Sequence, residues 1–410
     1  MKRIVILGSG TGGTMMANRL VRSLPEDGWR VTVIDRDDLH VYQPGLLFLP
    51  FGQYRSEEIV RPRAKLLDPR VQLHLGEIDR IAPTENAVRM QDGVVLRYDV
   101  LIVATGSRIL PEETPGLTQA GWKETAFDFY TLEGALALRD ALDRFQGGRL
   151  VVNVVEMPIK CPVAPLEFLF LAEAYFTKRG MRDKVEIAYA TPLEGAFTKP
   201  RASAAFGDML AQRRIEVLGD FGLAKVDGEK RLLQAYDGRE TNYDLLVTVP
   251  LHGGSEVVTK SGMGDAGGWF SVDKHTLQSP TFANVFALGD ATDLPASKAG
   301  AVAHFQSEVL IENVLRFVGG RELLADFDGH ANCFIETGYG KAMLIDFNYE
   351  TEPLPGRFPL PGVGPFTLLE ESAMNHWGKL AFKWIYWNVL LEGKDLPLDH
   401  RMLLAGKRQT

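Results

Sequence analysis

Ile4-Val5-Ile6-Leu7-Gly8-Ser9-Gly10-Thr11-Gly12-Gly13 carries an apolar strand, expected over 3–7, into a glycine-rich turn, with a helix expected from Gly13 to Leu24. The glycines at 8, 10 and 13 spell G-x-G-x-x-G. Gly8 permits the tight turn, Gly10 lets a pyrophosphate approach the backbone across Thr11 and Gly12, and Gly13 lets helix and strand pack closely. A phosphate then faces the positive end of the helix. A second strand over 30–34 ends at Asp35, a carboxylate suited to a ribose hydroxyl pair. This is the start of a dinucleotide-binding βαβ unit.

Working outward, Tyr98-Asp99-Val100-Leu101-Ile102-Val103-Ala104-Thr105-Gly106 reads as a strand buried in a parallel sheet and stopped by glycine. From Gly147 the plan recurs: a strand over 149–155, a helix over 166–179, a strand over 184–190. It closes on Asn242-Tyr243-Asp244-Leu245-Leu246-Val247-Thr248-Val249-Pro250, an echo of the segment ending at Gly106. A further strand near 284–290 ends in Gly289-Asp290, with a helix expected from about Ala296, and is expected to return to the first unit. The fold class is α/β: two tandem Rossmann-like domains plus a C-terminal α+β region. The expected boundaries are 1–110 with 270–327 for the first domain, 111–269 for the second and 328–410 for the last.

Composition agrees with a soluble globular chain. The 410 residues are 45% hydrophobic and 24% charged, with a net charge of −8, which excludes a disordered or polytopic membrane protein and argues against nucleic acid as a partner. The apolar run after Met1-Lys2-Arg3 stops at Gly8, too short for a secretory leader, so a cytoplasmic location is expected. No stretch reaches the about 18 uninterrupted apolar residues of a bilayer span. The two cysteines, Cys161 and Cys333, have no zinc-site spacing, so no metal is expected. On composition alone they read as inert buried thiols.

Ala104-Thr105-Gly106 and Ala287-Leu288-Gly289-Asp290, in that order, resemble the two-dinucleotide flavoprotein disulfide reductase superfamily. The resemblance implies FAD in the first loop, with Asp290 near the ribityl or phosphate region. The second half departs from it. Its first turn reads Val155-Glu156-Met157-Pro158-Ile159-Lys160-Cys161-Pro162-Val163-Ala164-Pro165-Leu166-Glu167, and no glycine lies between Gly148 and Gly180. A nicotinamide dinucleotide has no close backbone approach there, so NADH is not the expected electron source.

Cys161 stands where those glycines would be, at a turn opening a helix. The helix N-terminus and Lys160 are expected to lower its thiol pKa, and Glu167 is a candidate proton acceptor or an ordinary first-turn carboxylate. The Cys-Pro-x-x-Pro-x-Glu segment, the missing second glycine loop and Asn332-Cys333-Phe334 resemble sulfide:quinone oxidoreductase and the flavoprotein subunit of flavocytochrome c sulfide dehydrogenase. Tyr42-Gln43-Pro44-Gly45 and Pro250-Leu251-His252 support the likeness, which spans nearly the whole chain.

The resemblance implies that Cys161 and Cys333 meet beside the flavin as a redox pair, with Glu167 third in the catalytic set. Sulfide is then oxidised to a protein-bound persulfide or polysulfide, one thiolate adding to the flavin and electrons passing through FAD to a membrane quinone. The cofactor set is Gly8, Gly10, Thr11, Gly12, Gly13, Asp35, Arg36, Ile78, Ala104, Thr105, Gly106, Gly289, Asp290 and Lys298. Lys298 is expected at a helix start, adding charge near the flavin pyrimidine. Tyr42 stands where covalent members have a cysteine, so the FAD is expected to be noncovalent; 125–131 lacks the third cysteine of many quinone-linked members.

Trp377-Gly378-Lys379-Leu380-Ala381-Phe382-Lys383-Trp384-Ile385-Tyr386-Trp387 is apolar except for a strip of His376, Lys379 and Lys383. It suits a helix lying in the headgroup region, giving a peripheral protein on the cytoplasmic side of the membrane, or alternatively a buried core helix. Phe334, Tyr339 and Phe347 are expected to line a quinone pocket. The rival readings are a flavocytochrome-type subunit feeding a haem partner, a type II NADH dehydrogenase, which the second turn argues against, and a non-enzymatic flavin redox sensor or binding module. A homo-oligomer is compatible with all of them.

Overall fold

The computed structural model describes residues 1–119, 121–360 and 362–408. Two five-stranded parallel sheets carry most of it. In the first, the strands run in the order 285–287, 100–103, 2–7, 29–35, 72–75. In the second the order is 126–127, 245–249, 148–154, 185–190, 215–218. The exit strands 100–103 and 245–249 therefore hold matching places, each beside the first strand of its sheet. Both are buried throughout, as near-continuous Val/Leu/Ile runs (only Thr248 is polar) require when helices cover both faces. The α/β expectation of two tandem Rossmann-like units holds.

Strand 285–287 pairs in parallel with 100–103, so the chain re-enters the first sheet after completing the second. A four-stranded C-terminal sheet follows, in the order 331–338, 341–347, 364–368, 356–360. Four helices frame the site: α1 (Thr11–Ser23), α2 (Ala164–Lys178), α3 (Gly300–Val318) and α4 (Ala373–Ile385). α2 lies against strand 331–338, and α4 covers that strand and its neighbour. One apolar core runs from the first sheet through α2 to Cys333 and the end of α4.

α3 starts at Gly300, after an extended Ala299, not at Ala296. Lys298 therefore precedes the helix. Among the described residues no helix is long and apolar enough to cross a membrane.

Candidate active site

The glycine loop has the geometry its spacing calls for. Gly8 has φ +94°, and a Cβ there would lie 2.4 Å from the Ala104 carbonyl oxygen; one on Gly13 would collide with the Gly8 carbonyl. Over Gly10 there is nothing within 4 Å of such a Cβ, which leaves the backbone open to a phosphate. Gly8, Gly10, Thr11, Gly12 and Gly13 thus form a cradle between strand 2–7 and α1. The hydroxyls of Thr105 and Ser107 are buried without protein partners, as suits groups that bond a polar ligand. These features fit FAD.

Asp35 closes strand 29–35. Its Oδ2 accepts from the Ser9 amide at 2.6 Å and lies 3.2 Å from the guanidinium of Arg63. Arg63 also donates to the Ser9 carbonyl at 2.7 Å, so a partly buried cation sits directly under the loop. Nothing in the sequence marks Arg63, because the strand–turn pair that delivers it is built from contacts distant in the chain. The Arg36 amide donates to Asp35 Oδ1 at 2.8 Å, while its exposed side chain turns to Asp37, 3.4 Å away. Ile78 opens a short strand, partly buried against the core beside the first sheet.

At the other end of the cleft, Gly289 has φ +71° and its amide donates to Gln306 Oε1 at 2.6 Å. Burial raises the Asp290 carboxyl pKa, opposed by Lys160 and Lys298. Lys298 is 7% exposed. Its ammonium donates to the Thr292 carbonyl at 2.5 Å and the Asp290 carbonyl at 3.3 Å, and lies 4.0 Å from the Trp269 ring centroid. Its charge is held by main-chain carbonyls and an aromatic face, ahead of the helix it was expected to open.

The two cysteines converge on one short segment. The Cys161 amide donates to the Lys298 carbonyl at 2.7 Å, and the neighbouring Ser297 side chain favours the Cys333 thiolate. The charge of Cys333 also raises the Cys161 thiol pKa. Both are free. Strand 331–338 brings Cys333 there, paired opposite Ile345.

Thiol activation differs from the sequence expectation. Cys161 occupies a left-handed turn (φ +50°), and α2 begins three residues later. Burial pushes its pKa well up, and the neighbouring Glu167 carboxylate adds to this. The Ala164 amide does favour the thiolate, as a helix start should, but desolvation outweighs it. Lys160 lies 5.8 Å from the Tyr130 ring centroid, with Asp290 its principal charge partner. Burial likewise pushes Cys333 up to about 12, against the pull of Lys379. The cation serving both sulfurs is Lys379, from α4.

Lys379 donates to Glu167 Oε1 at 2.6 Å and to the Phe334 carbonyl at 2.9 Å. Glu167, 1% exposed, also accepts the Glu336 amide at 2.7 Å. Next along, His376 Nδ1 lies 2.9 Å from Glu336 Oε2, and Lys383 lies 3.4 Å from Glu58. The strip His376, Lys379, Lys383 therefore faces protein carboxylates. The opposite ridge, Met374, Trp377, Ala381 and Trp384, faces solvent, and both tryptophans are 64% exposed. Helical spacing announced the strip; which side would be buried depended on Glu167, Glu336 and Glu58, each from a different part of the chain.

The three expected quinone aromatics separate. Phe334 meets Phe366 edge-on at 5.1 Å beneath Gly378, where a Cβ would lie 2.7 Å from each ring. Tyr339 is exposed, bonded to Glu173 at 2.9 Å, and Phe347 lies under Lys199. Only Phe334 adjoins the thiol–carboxylate–ammonium cluster.

Residues 2–154 match the pyridine nucleotide-disulphide oxidoreductase family. The mitochondrial sulfide:quinone oxidoreductase of Mus musculus is 28% identical over 95% of this chain and 86% of its own length. That of Schizosaccharomyces pombe is 27% identical over 94% and 89%. The sulfide:quinone oxidoreductase structure from Aquifex aeolicus superposes with a TM-score of 0.81 at 21% identity, covering 96% of this chain and 92% of that one. The resemblance carried by the cysteine and flavin motifs is thus matched across almost the whole sequence and fold.

Proposed function

We infer that this chain is a sulfide:quinone oxidoreductase, an FAD-dependent enzyme that oxidises sulfide and passes the electrons to quinone. The carrying observation is the convergence of Cys161 and Cys333 beside Ser297-Lys298, next to the Gly289-Asp290 turn, with one buried ion pair felt by both sulfurs. Bound FAD supplies a two-electron relay between sulfur and quinone.

The residues of the chain account for the sulfur chemistry as follows. With the cysteine pair oxidised, hydrosulfide attacks one sulfur; the S–S bond breaks, one cysteine is left as a persulfide and the other as a thiolate. That thiolate forms in a buried site where burial disfavours it. Lys379 is the positive charge that offsets the penalty, and Glu167, its carboxyl pKa raised by burial, is placed to take the proton carried in on hydrosulfide. Cys161, Cys333 and Glu167 are therefore proposed as the catalytic set, joined by Lys379. The glycine loop, Asp35, Ala104–Gly106, Gly289 and Asp290 are proposed to hold a noncovalent FAD.

Quinone is proposed to approach along Phe334 and Phe366 under α4. The exposed ridge of Met374, Trp377 and Trp384 suits insertion of α4 into one leaflet, giving a peripheral protein on the cytoplasmic face.

Anaerobic mixing of the yellow protein with sulfide, and separately with NADH, tests the assignment. Sulfide should bleach the flavin rapidly and NADH should have little effect. Bleaching by NADH alone would overturn it, and response to neither would favour a redox-sensing role.

A further inference from the structure

We propose that Tyr386 latches the C-terminal segment onto the pyrophosphate loop, so that docking of residues 373–395 and retention of FAD stabilise one another. The proposal rests on the FAD reading and adds a positioning residue to it.

Tyr386 is fully buried and directly follows α4, opening a π-helical turn over Tyr386–Leu390. The wide turn places two adjacent side chains, Tyr386 and Trp387, inward together. The Tyr386 hydroxyl lies 2.8 Å from Thr11 Oγ1 in the glycine loop and 2.6 Å from His40 Nε2. His40 Nδ1 in turn lies 3.0 Å from the Ser9 carbonyl.

The direction of each bond follows. Burial and the nearby Arg63 lower the His40 pKa to about 4, so its ring is neutral at pH 7. A carbonyl can only accept, so Nδ1 carries the proton and Nε2 is an acceptor. Tyr386 must therefore donate to His40 and accept from Thr11. The Thr11 hydroxyl is committed to Tyr386, which fixes its rotamer and leaves the amides of the first turn of α1 to face the phosphate.

The same segment is fastened again along α1. The Asn18 side-chain amide donates to the Leu391 carbonyl at 2.6 Å, and Arg19 donates to Asp395 at 2.7 Å. Gly393 (φ +68°) lies so close that a Cβ would be 3.0 Å from Arg19. The helix that holds the phosphates and the tail of the helix proposed to meet the membrane therefore share one set of bonds. Whatever orders one orders the other, and the coupling is reciprocal.

The test is the rate of FAD release from the holoprotein, followed by recovery of free-flavin fluorescence after dilution. Tyr386→Phe keeps the ring and removes the hydroxyl; Gly393→Ala loosens the segment without touching the loop. Each should speed release about fivefold or more. Trypsin should cut the C-terminal segment more slowly in holoprotein than after FAD removal, and Tyr386→Phe should erase most of that difference. Unchanged release in both variants, or equal cleavage with and without FAD, would overturn the latch while leaving the enzyme assignment intact. A protein that purifies without flavin would instead sink the reading on which the latch rests.

Discussion

The Lys379 ammonium sits 2.6 Å from the Glu167 carboxylate, tying a helix that is exposed and apolar on its far side to the helix that follows Cys161. Glu167 is 1% exposed, so neither charge is easily left alone. Removing one partner of a buried pair costs about 3–5 kcal/mol, because the other charge remains desolvated. Lys379→Met should therefore lower stability in urea by that order. Lys379→Met with Glu167→Gln should recover most of it. A double variant no more stable than the single one would show that the two side chains act separately.

Sulfide reduction of the flavin should vanish in Cys161→Ser and in Cys333→Ser alike, with the flavin spectrum otherwise retained. Stopped-flow absorbance under anaerobic conditions checks this. Full-rate bleaching in either variant would remove that cysteine from the reaction.

His40 sets an acid limit on stability. Its pKa is lowered to about 4 by burial and Arg63, against an ordinary value of 6.5. It faces the Tyr386 hydroxyl, the Ser9 carbonyl, the Trp387 ring and the cation Arg63, none of which is an anion that welcomes its proton. Between these two values the unfolded chain binds the extra proton and the folded one does not. Stability is therefore fully present above pH 6.5 and falls as the pH drops towards 4, by about 1.4 kcal/mol for each pH unit crossed. Thermal unfolding across that window should show a smaller drop in His40→Gln than in the parent protein. Parallel curves would refute the assignment.

Vesicle binding should depend on the exposed ridge of α4. A large apolar side chain moved from water into lipid contributes about 1.5–3 kcal/mol, so Trp377→Ser and Trp384→Ser should each weaken liposome binding roughly tenfold or more. Co-sedimentation measures it. Binding unaffected by the double substitution would exclude α4 as the contact.

All of the flavin should leave the protein in hot acid. Tyr42, at the place expected of a covalent-linkage cysteine, is buried against Tyr386, with ring centroids 4.8 Å apart. Flavin absorbance remaining with the precipitate would contradict noncovalent binding.

Local rules carry the sequence reading a long way. The turn at Gly8 and a helix opening from the glycine loop follow from backbone sterics and glycine spacing, although the helix starts at Thr11, two residues before the expected Gly13. The buried runs at 100–103 and 245–249 follow from apolar patterning. The cysteine in place of the second glycine loop is visible as a substitution in a repeated plan. These are properties of short segments, and short segments can be read without knowing what lies beside them.

What tertiary structure decided is which groups share a solvent-free space. The sequence suggested that Lys160 would lower the Cys161 pKa; folding set Lys379, more than two hundred positions away, against both thiols, and raised both thiol pKa values by burial. It turned the His376, Lys379, Lys383 strip towards Glu336, Glu167 and Glu58, and left the tryptophan ridge in solvent. Desolvation and charge pairing depend on every element that closes over a group. Chain order is silent about those elements, and so about the energy of a buried charge.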